Sequence, residues 1–274
     1  MKSILIDGSI PAWPSYLREL LRYRQVAMVL IKRDLIIRFR HTVFGVAWLL
    51  FKPLMLMVVI SLAFGFISRT ETSTSAPYPL VVLCAVVPWY FFSNAVPDGM
   101  HSIVGHLNII QKIYFPRLLI PLVAVLINVV EFLAAWLLFV LACLWYAFVP
   151  GWQLSTFPLF AILLIALCLG VVLWLSILQT RFRDVGNLIP FLITLAFFVS
   201  PIGYTLDAVP EAWRSLYVLN PLVGIVEGFR WSLLGATYTL HLGAVAWSAV
   251  TSMVIFLTGI WNFRRTEPYI AELA

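Results

Sequence analysis

Residues 132–180 read FLAAWLLFVLACLWYAFVPGWQLSTFPLFAILLIALCLGVVLWLSILQT, 49 residues without a single Asp, Glu, Lys or Arg. A helix that crosses the hydrocarbon core of a bilayer takes about 20 apolar residues, so this stretch holds two spans. Pro150-Gly151 supplies the turn between them, with Trp145, Tyr146 and Trp152 forming an aromatic belt beside it. The sequence therefore predicts an all-α polytopic membrane protein.

The whole chain agrees with that stretch. Of its 274 residues 62% are hydrophobic and only 11% charged, and the mean hydropathy is +1.00. Soluble domains carry about 25% charged residues, which excludes a soluble enzyme and equally a disordered chain. The apolar residues run in long blocks rather than in alternating ten-residue segments, which argues against a β-barrel. Cys84, Cys143 and Cys168 sit in apolar runs without metal or redox spacing and read as inert core residues.

Working outward, six spans are expected: about 43–68, 79–97, 117–146, 157–179, 185–200 and 240–263. They form a permease domain over 42–265. A cytoplasmic N-terminal segment (1–41) precedes it and a short cytoplasmic tail (266–274) follows. Asp7 and Pro11 interrupt the only apolar start, so the N-terminus does not read as a signal peptide. Ser15 is a candidate cap for an amphipathic helix from Tyr16, with Trp13, Leu17, Leu20 and Leu21 on one face. With no soluble core to pack on, that helix belongs at the membrane surface, cations at headgroup level. Between the fifth and sixth spans, Pro210 starts one short helix. Asn220-Pro221, an N-cap followed by a first-turn proline, starts another that reaches about Leu234. Both read as re-entrant or interfacial elements on the outer side, and Glu227 and Arg230, at i,i+3, are spaced to pair.

The charge distribution orients the chain. With both termini inside, fourteen Lys/Arg lie on the cytoplasmic side and three (Arg69, Arg214, Arg230) outside. Such a bias is the signature of topology in a membrane protein, not of nucleic-acid binding, and accounts for the net charge of +6. Lys52 falls inside the first span, where it either snorkels to the rim or faces a polar cavity.

Little in the chain supports chemistry of its own. No P-loop pattern occurs, so ATP is not bound through one, and no zinc-protease or serine-hydrolase signature is present. The four histidines read as solvated polar residues. One acid, Glu131, lies deep in a span with Asn128 on the preceding turn. It is either a functional intramembrane carboxylate or a group neutralised by protonation or a helix-to-helix hydrogen bond. The pattern is that of a conduit, neither an enzyme nor a proton relay; active transport would need energy from another chain.

Five motifs in order resemble the permease subunits of ABC transporters that export polysaccharides, the O-antigen, teichoic acid and capsule exporters. They are Arg38-Phe39-Arg40-His41-Thr42-Val43-Phe44-Gly45-Val46-Ala47-Trp48; Gln111-Lys112-Ile113-Tyr114-Phe115-Pro116-Arg117; Asn128 with Glu131-Phe132; Phe182-Arg183-Asp184-Val185; and Ser200-Pro201-Ile202 with Asn220-Pro221-Leu222 and Glu227-Gly228-Phe229-Arg230. Phe39 and Thr42 depart mildly from the Tyr and Ser more usual there. The resemblance implies a homodimer of six-span subunits in the bacterial cytoplasmic (inner) membrane, with two ATP-binding cassette subunits holding ATP and Mg beneath it. It implies a channel for an undecaprenyl-linked glycan and gate helices at 204–234. It also implies ATPase contact by the N-terminal helix (Leu17, Leu20, Leu21) and by a short helix at Gly105–Phe115, including Lys112 and Tyr114. An exporter of a drug or small lipid would share the topology without these motifs.

The aromatic residues then acquire a candidate role. Trp89-Tyr90-Phe91-Phe92 runs round a helix and cannot face lipid on every side, and aromatic faces suit the C–H faces of sugars. Phe44, Trp48, Trp89, Tyr90, Phe92 and Tyr204 are the candidate lining and gate residues; the plain alternative is that they fill the core.

Overall fold

The structure, a computed structural model, describes residues 13–40, 45–68, 76–112 and 114–269. Eleven α-helices are present among them: α1 (Trp13–Arg22), α2 (Arg24–Phe39), α3 (Trp48–Ser68), α4 (Tyr78–Gly105), α5 (Leu107–Ile110), α6 (Leu119–Trp145), α7 (Phe157–Arg181), α8 (Val185–Phe198), α9 (Glu211–Val218), α10 (Pro221–Leu234) and α11 (Leu242–Thr266). No strand occurs among the described residues.

Among the described residues, five helices are long and apolar enough to cross a membrane: Trp48–Gly65 within α3, α4, α6, α7 with its leading turn, and α11. The expected fifth span, α8, has 14 residues, about 21 Å at 1.5 Å per residue, against a hydrocarbon core of about 30 Å. The irregular residues after it extend its reach. At its start Gly186 packs beside His101, near the end of α4. At 203 the Gly203 carbonyl accepts a 2.6 Å bond from Tyr78, the first residue of α4. The segment 186–203 thus runs alongside α4 from one end to the other.

α4 is the centre of the bundle, with α3, α6, α7, α8 and α10 packed on it. Its run from Leu80 to Trp89 is buried without a break, consistent with a helix apolar all round. α7 and α11 approach backbone to backbone. A methyl group added to Gly259 would lie 2.7 Å from the Gly170 carbonyl oxygen, the close packing of small residues that holds helices together in lipid. The described outer faces of α3, α8 and α11 stay apolar and exposed, with Met55, Phe191, Leu195 and Met253 among them.

α1 is already helical at Trp13, ahead of the Ser15 cap suggested by the sequence. α2 is a continuous helix that carries the basic run Lys32–Arg38. It lies along α6, with Leu30 packed on Val123 and Ile127. The Gly105–Phe115 segment is not one helix: α4 runs on to Gly105, a four-residue α5 follows, and Phe115 lies beyond it in irregular chain. Arg33, Arg38, Arg117 and Arg264 all make contacts at the end of the bundle where α4 and α11 finish and α6 begins.

Candidate functional site

Two polar centres stand out in this apolar bundle. The first joins α2, α4 and α6. Arg38 donates through Nη1 to Asp98 Oδ2 at 2.9 Å, and its Nε lies 2.8 Å from Glu131 Oε1 as an ion pair, off the alignment of a hydrogen bond. Asn128 Nδ2 donates to the same Asp98 Oδ2 and to the Ala124 carbonyl, each at 2.9 Å. Glu131 is therefore countered by a cation from α2, and Asn128 turns to Asp98 rather than to Glu131. A charged carboxylate needs such a partner when water is excluded, and its side chain is only 7% exposed.

Cavities open on both sides of Arg38. One of about 370 Å³ is lined by Arg38, Trp48, Lys52, Tyr90 and Glu131. Lys52 is exposed at its rim, with Nζ 5.9 Å from the Trp48 ring centre. The other, of about 520 Å³, is lined by Asp34, Arg38, Asp98, His101, Ser102 and His106. His106 is not merely solvated: its Nε2 takes a 2.5 Å bond from Arg33, and its Nδ1 stands 2.8 Å from the Ser102 carbonyl. A guanidinium only donates, so Nε2 is the acceptor of the Arg33 bond.

The second centre fixes α10. Glu227 and Arg230 pair at 3.2 Å with neither side chain exposed, as their spacing suggests. Arg230 also donates to the carbonyls of Ile202 at 3.1 Å and Val81 at 3.4 Å, and Tyr238 donates to the other Glu227 oxygen at 2.7 Å. Arg230, read from the sequence as an outer cation, is thus wholly enclosed. α10 begins as expected, with Asn220 Oδ1 accepting from the Leu222 N–H at 3.0 Å, and Asn220 Nδ2 donates to Ser200 Oγ at 3.0 Å.

The candidate lining residues fall into three groups. Trp48 and Tyr90 share the 370 Å³ cavity. Trp89 lines a separate cavity of about 430 Å³ with Leu56, Ser93, Pro190, Thr194 and Phe197, and its ring centre is 6.3 Å from that of Phe92. Both Trp89 and Phe92 are buried within the single chain. Tyr204 stands near the other end of α8, donating to the Phe198 carbonyl at 3.0 Å, its ring 6.1 Å from Tyr217. Phe44 lies outside the described residues.

Of the candidate ATPase contacts, Gly105, Lys112, Tyr114 and Leu21 are exposed. Leu20 and Phe115 are turned inward and meet in one apolar cluster with Ile110 and Phe263. The side chain of Leu17 is outside the described residues. Sequence reasoning missed Arg38 and Asp98 as members of the Glu131 centre; Pro97-Asp98, an acid at the inner edge of the second span, was the available signal.

A bundle of long apolar helices, with cations gathered at one end and a short buried helix between the last two apolar segments, is the architecture of a transport permease. The chain belongs to the ABC-2 type transporter family, whose model matches residues 25–234. It is a multi-pass membrane protein and a transport component. It is 28% identical over 215 residues to the O-antigen export system permease protein RfbA of Myxococcus xanthus, covering 78% of this chain and 82% of that protein. An RfbA of Klebsiella pneumoniae is 26% identical over 247 residues, covering 90% and 93%. The polysialic acid transport protein KpsM of Escherichia coli is 23% identical over 245 residues, covering 87% and 92%.

Proposed function

We propose that this chain is the permease subunit of an ATP-driven exporter that moves a lipid-linked, O-antigen-like polysaccharide across the bacterial cytoplasmic membrane. Two copies pair, and two ATP-binding cassette subunits below them hold ATP and Mg. The observation that carries this reading is the end-to-end likeness to permeases named for O-antigen export, covering 93% of one such protein.

Particular features support it. The segment 186–203 keeps pace with α4 from end to end, which supports a sixth crossing and termini on the same side, and the excess of Lys and Arg there supports the cytoplasmic side. α9 and α10 are the outer gate helices. A polymer in transit must not be held tightly, and aromatic surfaces offer many weak, similar contacts in place of one strong site. The exposed Lys112 and Tyr114, beside α1, form the surface for the ATPase.

Deleting the chain tests the reading. Surface polysaccharide should disappear while its lipid-linked form accumulates inside, and the tagged permease should bring down a P-loop ATPase. Normal surface polysaccharide, or loss of efflux of a small hydrophobic compound instead, overturns it. Tyr114→Asp should leave the permease folded but weaken its hold on the ATPase.

A further inference from the structure

Three distant parts of the chain converge on one carboxylate. Glu267 follows the last turn of α11. Its Oε2 accepts a 2.8 Å bond from the Tyr16 hydroxyl of α1, and its Oε1 accepts a 2.7 Å bond from the Arg117 backbone N–H just ahead of α6. Arg117 returns its guanidinium to the Glu267 carbonyl and, at 3.4 Å, to the Pro268 carbonyl. One turn earlier on α11, the Arg264 guanidinium lies 4.2 Å from the Trp13 ring centre and 4.7 Å from that of Tyr16. Tyr16 is only 4% exposed, so this is an enclosed joint and not a surface ion pair. Charge-assisted bonds of this kind are about twice as strong as neutral ones.

The joint sits between the two surfaces assigned to the ATPase. α1 is on one side of it. On the other are Lys112 and the 114–117 stretch, which carries Tyr114 and whose Phe115 already meets Leu20 of α1 in an apolar cluster. Apolar contact alone lets two elements slide, whereas two directed bonds to one carboxylate fix their relative orientation.

We propose that Glu267 is the positioning residue of the cytoplasmic face: it joins α1, the 114–117 stretch and the end of α11 into one rigid plate, so that motion of the ATPase reaches α6 and α11 together. This rests on the function proposed above. Without Glu267 the ATPase still docks and hydrolyses ATP, but α1 and the loop respond separately and the stroke is lost.

The test uses the full transporter in lipid, comparing wild type, Glu267→Ala, Glu267→Gln and the milder Tyr16→Phe. Export per ATP hydrolysed should fall about tenfold in the Ala variant, the size of a typical coupling free energy, and less in the other two. Hydrolysis, ATPase association and protein level should hold. Spin labels at the exposed positions Arg18 and Lys112, in the permease alone, should give a narrow distance distribution in wild type and a broad one in Glu267→Ala. An unchanged distribution, or an unchanged export-to-hydrolysis ratio in Tyr16→Phe and Glu267→Ala alike, overturns the proposal. A wild-type permease that recruits no ATPase overturns the functional reading instead, and the label distances still decide the joint.

Discussion

Arg38 of α2 and Glu131 of α6 stand 2.8 Å apart, which ties the N-terminal part of the chain to the interior of a spanning helix. Arg38 bonds Asp98 of α4 as well, so a single cation holds three helices. Its loss strands Glu131, while loss of Glu131 leaves Arg38 with Asp98 and with water, since Arg38 is 33% exposed. Arg38→Ala should therefore cost about 2–3 kcal/mol, somewhat under the roughly 3–5 of a fully enclosed pair. Glu131→Gln should cost about 1 kcal/mol or less. The double variant Arg38→Met/Glu131→Leu should recover most of the loss. Thermal unfolding in detergent checks the order; a Glu131→Gln variant weaker than Arg38→Ala contradicts it.

The second ionic centre should be less forgiving. Arg230 and Glu227 have no exposure at all, so Arg230→Met leaves a buried carboxylate with only the Tyr238 hydroxyl. About 3–5 kcal/mol is expected, against about 1–2 for Tyr238→Phe. Arg230→Lys should behave nearly as badly as Arg230→Met, because an ammonium cannot reach Glu227, Ile202 and Val81 with one planar fork. Protein level and protease resistance of the 200–240 region report the outcome, and a stable Arg230→Lys protein would show that the fork is dispensable.

Alanine exchanges should divide the aromatic candidates. Trp89 and Phe92 are buried within the chain, and truncating such side chains costs about 3–5 kcal/mol, so protein level should fall. Trp48 and Tyr90 border an open cavity; their variants should keep the level and lose export. Equal loss of protein in all four would assign them all to packing.

Glu267 gives the cytoplasmic face a pH dependence. Burial raises its carboxyl above the ordinary 4.5, against the opposing bonds from Tyr16 and the Arg117 N–H and the charges of Arg117 and Arg264. A carboxyl raised in the folded state contributes most below its unfolded value and loses that contribution as pH climbs through the folded one. Relative to Glu267→Gln, the wild type should thus lose thermal stability from 4.5 up to the raised value and hold level above it. A difference that grows in favour of the wild type with rising pH would contradict the sign.

The long spans and the start of α10 were legible because they depend on local features: unbroken apolar runs, and Asn220-Pro221 at a helix entry. The pairing of Glu227 with Arg230 was legible for the same reason, being one helical turn apart. What escaped was set by chain return. Glu131 was found, but its partner Arg38 lies 93 positions earlier on a separate helix. Arg230 counted as an outer charge because nothing local shows that Ile202 and Val81 turn their carbonyls towards it. α8 ends within two residues of the expected Ser200-Pro201, whereas Gly105–Phe115 is broken because α4 runs on to Gly105 and only a four-residue helix follows.

The anchoring of α10 also bears on how the protein is made. A helix with an internal Glu and Arg is a poor guest in lipid by itself, and α10 emerges late. The carbonyls that receive Arg230, on Val81 and Ile202, belong to residues synthesised before it, and only Tyr238 comes after. Two of the three groups outside α10 that hold its charged pair thus precede it along the chain, and one follows it.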